Sequence, residues 1–138
     1  MLFRSPVFGV CLGLQGIVEH FGGTLGQLEL PMHGKPSPVA IEARSRFDLF
    51  DRVGPVFEAG RYHSLYAIEQ HLPSELVISA RTSAAGATSE LGAADGIIMG
   101  IEHRTLPIAA VQFHPESIMT LTRGAGQRLI SNVVANLR

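Results

Sequence analysis

The 138 residues contain no tryptophan, one cysteine, and no unbroken apolar run of the roughly 18 residues that a membrane span needs. Without a second cysteine there is no internal disulfide framework. The six histidines show no tight pairing with Cys11 or with one another, so no zinc knot or other metal site is expected. An excess of one charge is missing too: 11 Lys and Arg face 12 Asp and Glu, a formal charge of −1, and no basic stripe exists for a phosphate backbone. Nucleic acid is therefore not an expected partner. Charged residues make up 17% of the chain, below the usual share of about 25%, which suggests that some surface is covered by a partner. The hydrophobic share of 46%, with 15 Gly and 8 Pro, is that of a folded protein, and residues 1–138 fit a single domain.

Met1 to Arg4, followed by the apolar stretch Pro6 to Leu14, imitates a secretory signal. Gln15 and the Glu19-His20 pair interrupt it, and no small-x-small cleavage site follows. Val10 also stands where a lipoprotein signal wants a small residue before the cysteine. A cytoplasmic protein with no membrane partner is the expectation.

The chain reads as α/β. Pro6 to Val10 is a short β-branched apolar run, as in a strand buried on both faces of a parallel sheet. Leu14, Ile17, Val18 and Phe21 follow at helical spacing over Leu12 to Phe21, and Gly22-Gly23 ends that helix. Thr24 to Leu30 alternates loosely, Pro31 to Pro38 reads as an ordered loop, and Val39 to Ala43 resumes a strand. Val53 to Arg61 and Leu76 to Arg81 are further strands. Thr82 to Asp95, small and polar, reads as a lengthened hairpin tip without chemistry. Gly96 to Glu102 and Leu106 to Phe113 are strands joined by a turn, and Gly124 to Leu137 has helical spacing.

Gly9-Val10-Cys11-Leu12-Gly13 is the cysteine version of a nucleophile elbow, a sharp strand-to-helix turn that lifts the nucleophile clear of the sheet. Gly9 and Gly13 are expected to remove side chains that would collide there. A helix N-terminus also favours thiolate over thiol. The bland alternative is a small buried hydrophobe, which a lone free cysteine usually is. A base is available in Gln112-Phe113-His114-Pro115-Glu116-Ser117. In extended chain, residues two apart share a face, so Glu116 can hold one imidazole nitrogen of His114 and leave the other for Cys11. That is triad logic in the order Cys, His, Glu.

Gly9 to Gln15 and Val111 to Ser117, with Met32-His33-Gly34-Lys35-Pro36-Ser37 and Gly60-Arg61-Tyr62-His63-Ser64-Leu65 between them, closely resemble class I glutamine amidotransferases. The His-Gly-Lys and Arg-Tyr-His-Ser-Leu segments are most similar to the anthranilate synthase branch and its sister, aminodeoxychorismate synthase. Gln15 to Lys35 resembles the form fused to the chorismate-using synthase. The resemblance implies a flavodoxin-like amidotransferase fold with a central, mostly parallel sheet. It implies that Cys11 attacks the side-chain amide of glutamine, that His114 carries the proton to departing ammonia, and that Glu116 orients His114. Gln15, Ser64 and Leu65 would hold the amino-acid end of glutamine. The Leu12 N–H, at the head of the helix, is placed for the oxyanion.

The glutaminase would need no metal or organic cofactor, and any magnesium would belong to the chorismate-binding synthase partner. The His33 and Lys35 loop would lie near the site and the synthase contact, with His63 on the same surface. His20, His71 and His103 carry no motif and are expected to be structural or solvent-facing. The family's first strand and helix and its Pro-Gly-Pro-Gly loop have no counterpart in these residues, so an N-terminally truncated, partial domain is expected. The function so implied is ammonia supply for amination of chorismate in tryptophan biosynthesis. The alternatives are the aminodeoxychorismate enzyme of the folate branch and a catalytically inactive interaction module. A different thiol-elbow α/β hydrolase is disfavoured because its acid precedes its histidine.

Overall fold

The computed structural model describes residues 5–29, 31, 33–42, 45–83, 96–117, 120 and 124–138. In chain order the elements are β1 (Val7–Val10), α1 (Leu12–His20), β2 (Leu25–Gln27), β3 (Lys35–Ile41), β4 (Val56–Arg61) and β5 (Leu65–Ala67). A 3-10 turn (Glu69–His71), β6 (Leu76–Thr82), β7 (Ile98–His103), β8 (Ile108–Val111) and a helix named α2 (Ala125–Asn136) complete them. Residues 84–95, the expected hairpin tip, lie outside the described residues. Its base is in place, with the Gly96 N–H donating to the Thr82 carbonyl where β6 turns toward β7.

Six strands form one sheet in the order β1-β8-β7-β6-β3-β4, and β2 pairs with β5 in a separate ribbon. The α/β class holds, but the sheet is mixed rather than mostly parallel. Among the described strands only β1 and β8 run parallel, and the other pairings are antiparallel. The reason lies in the connections. A parallel pair needs a long crossover, whereas β6, β7 and β8 follow one another through hairpins. The expectation that β1 is buried on both faces also fails. Among the described strands it pairs with β8 alone and is half-buried, while Ile108-Ala109-Ala110-Val111 of β8, between two neighbours, is buried throughout.

The Pro31–Pro38 loop is shorter than expected, because β3 begins at Lys35 and carries two prolines. Pro38 turns its carbonyl to Ser83, away from β4, and Pro36 shares that parity. Their nitrogens therefore face the side on which β6 pairs only from Val39 onward, where no ladder donor is demanded.

The core lies on both faces of the sheet. Ala109 and Val111 point to the side of α2, where Phe57, Met99, Phe113 and Leu129 pack. Ala110 points to the side of α1, with Leu14, Val18, Ile98 and Ile101. Alternation along one strand thus serves two layers.

At the elbow, Cys11 donates its N–H to the Val111 carbonyl at 2.8 Å, a last rung of the β1–β8 ladder, and offers its own carbonyl to the Gln15 N–H of α1. Going from strand to helix at one residue forces Cys11 to φ 55° and ψ −100°, a strained geometry for a side chain. The two glycines differ in their roles. A Cβ on Gly9 would sit 2.7 Å from the Gly13 backbone carbon, whereas one on Gly13 would meet nothing within 4 Å. The expected collision is therefore real at Gly9 and absent at Gly13. Gly9→Ala is predicted to destabilise by about 1–3 kcal/mol, and Gly13→Ala, in a helix, to stabilise by about 0.5–1 kcal/mol, read from paired denaturant titrations. Equal effects of the two would refute this account of the turn.

Candidate active site

Cys11 at the elbow, Leu12 and Gln15 from α1, Tyr62 to Ser64 from the segment joining β4 to β5, Leu65 at the start of β5, and His114 from beyond β8 line one cavity of about 400 Å³. Cys11 is only 8% exposed, yet it belongs to that lining rather than to the closed core. The parallel pairing explains the meeting. Val10 is opposite Val111, so both strands end at the same edge and the residues after them share it.

His114 Nδ1 lies 2.6 Å from Glu116 Oε1. The contact is made in the turn after β8 rather than along extended chain. Two glycines hold that turn. The Gly60 carbonyl accepts from the His114 N–H, and the Gly60 N–H donates to Thr120 Oγ1 at 2.8 Å. A Cβ on Gly60 would strike Ser117 Oγ at 2.6 Å, and one on Gly126 would overlap the Pro115 carbonyl oxygen. The Tyr62 ring stands edge-on to the imidazole, with centroids 5.3 Å apart.

The thiol does not show the expected bias toward thiolate. Burial pushes its pKa up and outweighs the Leu12 backbone N–H and the Gln112 amide, which pull it down; Glu116 adds to the upward shift. Gln112, fully buried, donates from Nε2 to the Cys11 sulfur at 3.5 Å. Gln15 donates to the Leu65 carbonyl and to Gln112 Oε1, each at 3.3 Å.

His63 is not on a partner surface. It is 4% exposed, with Nε2 accepting from Arg61 Nε at 3.0 Å and Nδ1 on the Leu65 carbonyl at 2.7 Å. Arg61 is 1% exposed and also donates to Ser37 Oγ. Burial lowers His63 to about 4 and Arg61 to about 10, so at neutral pH the imidazole is neutral and the guanidinium charged. His33 is exposed, and the Lys35 side chain is outside what the structure describes. His20 is exposed; the His71 ring meets Thr24 Oγ1, and His103 caps the turn at Thr105 and Leu106. Gln112, Arg61, Gly60 and Gly126 carry no functional signal of their own in the sequence. Gln112, Arg61 and Gly60 sit within motifs and Gly126 in a helix, but the role of each depends on a side chain or backbone group that the sequence pattern does not reveal. Among the described residues no group of three or more His, Cys, Asp or Glu could hold a metal ion, and no helix is long and apolar enough to cross a membrane.

The family model for class I glutamine amidotransferases matches residues 2–136, and the chain belongs to that family. An anthranilate synthase of Azospirillum brasilense is 48% identical over 96% of this chain and 16% of its own length. The aminodeoxychorismate/anthranilate synthase component 2 of Bacillus subtilis is 38% identical over 98% of this chain and 61% of its own. The crystal structure of a candidate GMP synthase component from Thermoplasma acidophilum has the same fold, with a TM-score of 0.75 at 24% identity over 96% of this chain and 57% of that one. The chain thus spans less than two thirds of the length of each of these relatives.

His63 makes the site pH-sensitive in a predictable direction. Its folded pKa is below the unfolded value, so the unfolded chain binds more protons between about pH 6.5 and 4, and stability falls as pH falls through that window. His103, also lowered by burial, adds the same sign. His63→Gln is predicted to flatten this loss by an amount on the order of 1–3 kcal/mol between pH 7 and 4. Parallel stability profiles for the two proteins would overturn the assignment.

Proposed function

We propose that this chain is the glutaminase part of an anthranilate synthase and hydrolyses glutamine through Cys11, His114 and Glu116. The observation that carries the reading is that a strained elbow cysteine and a carboxylate-bound histidine open onto one cavity. Cys11 attacks the side-chain amide carbon of glutamine, and the negative oxygen that forms is stabilised by the Leu12 N–H. His114, oriented by Glu116, takes the thiol proton and passes it to the leaving nitrogen, so ammonia departs and a glutamyl thioester remains. Water then releases glutamate.

Gln15, Ser64 and Leu65 are the proposed holders of the amino-acid end. Both amide hydrogens of Gln15 are committed to protein acceptors, so its carbonyl oxygen is what it offers, which suits the ammonium of an amino acid. The exposed Leu12, Tyr62 and Leu65 at the cavity mouth support a covering partner, and the proposed one is a chorismate-binding synthase in the cytoplasm. Anthranilate is the proposed product. Aminodeoxychorismate is the alternative, because the Bacillus relative bears both names.

The test is glutamate and ammonia release from glutamine, with and without the synthase and chorismate. Turnover that drops to background in Cys11→Ser and falls by about 10²–10⁴ in His114→Ala is the expected result. Folded protein without turnover in any mixture, and without labelling of Cys11 by a glutamine-analogue alkylator, would leave an inactive interaction module as the reading.

A further inference from the structure

A continuous run of hydrogen bonds leads from a buried guanidinium to the sulfur, and each group in it has its direction set by a neighbour with no choice. Arg61 Nε can only donate, so His63 Nε2 accepts and the imidazole hydrogen is on Nδ1. That hydrogen goes to the Leu65 carbonyl, which can only accept. The same carbonyl takes a hydrogen from Gln15, which sets the Gln15 amide with its NH₂ inward. The second hydrogen of that NH₂ needs an acceptor, so Gln112 must present Oε1 to Gln15. Gln112 then has its own NH₂ facing Cys11.

From this geometry we infer that Gln112 is a positioning residue for the nucleophile: its amide is locked by Gln15 and Leu65 as an obligatory hydrogen-bond donor to the Cys11 sulfur. Gln112 does not line the cavity and is fully buried, so it reaches the sulfur from within the protein, leaving the cavity side to ligand and His114. A donor fixed in this way favours the thiolate, and it acts against the burial and the Glu116 charge that raise the thiol. The inference rests on Cys11 being the reacting group, but not on glutamine being the substrate.

Cys11 is the only cysteine, so alkylation by iodoacetamide reads this thiol alone. The rate is measured against pH for the parent chain, Gln112→Met and Gln112→Glu, with folding checked by circular dichroism. Loss of the donor in Gln112→Met is expected to move the midpoint up by about one pH unit, a roughly tenfold loss of rate at a fixed pH below it. Gln112→Glu, which keeps the shape and adds a negative charge, is expected to move it further in the same direction. If one variant does not fold, the other alone decides. An unmoved midpoint in a folded variant would overturn the proposal, since a merely structural glutamine would change stability without changing the pH profile. Because no glutamine is present, the outcome is independent of whether the chain proves to be a glutaminase.

Discussion

The parallel pairing of β1 with β8 is the constraint on which the site depends. Residues about a hundred positions apart are brought to one edge because both strands run the same way and stop level, Val10 beside Val111. The segments that leave the two strands must then share the space above them: the elbow and α1 on one side, Gln112 to Glu116 on the other. An antiparallel pairing would have put the elbow beside the start of β8, far from His114. The Cys11 N–H, bonded to the Val111 carbonyl, extends the ladder into the turn and ties the strained residue to the sheet.

Close backbone approach does the rest of the positioning. The His-Pro-Glu turn is seated between Gly60, at the end of β4, where a Cβ would press on the Ser117 side chain, and Gly126, in the first turn of α2, where a Cβ would run into the Pro115 backbone. β4 is the far edge of the six-stranded sheet, yet its last residues reach this turn and run on into Tyr62 and His63. One segment therefore buttresses His114 through Gly60 and supplies the buried Arg61–His63 pair.

The elements with clean periodicity were legible in the sequence: the first strand, the helix ended by Gly22-Gly23, the hairpin strands of β6 to β8, and α2. The elbow was legible because Gly9 and Cys11 stand in a local pattern whose geometry is local. The mixed sheet was not, since apolar runs do not state direction and the direction came from the hairpins between β6, β7 and β8. The strand character of Pro36 and Pro38 was hidden because it depends on which side β6 leaves open. The burial of His63 was hidden for a similar reason, as Arg61 and, through it, Ser37 of β3 close around the ring. Gln112 read as the end of an apolar strand, and nothing near it in sequence announces the sulfur above it.

The electrostatics of the site are a balance rather than a push in one direction. Burial and Glu116 hold the proton on Cys11, while the Leu12 N–H and Gln112 loosen it. Glu116 therefore has two opposite effects: through space it disfavours a thiolate, and through its 2.6 Å contact it fixes the His114 ring, the proton acceptor on the proposed reading. A site built this way does not keep a standing thiolate in the open cavity. On the proposed reading, the proton leaves sulfur as the sulfur attacks, with the imidazole as its destination. The charge then resides on the substrate oxygen, where the Leu12 N–H meets it, and on an imidazolium that Glu116 stabilises. The carboxylate that opposes the resting thiolate thus favours the charge distribution of the transition state, which is the difference that a catalyst requires.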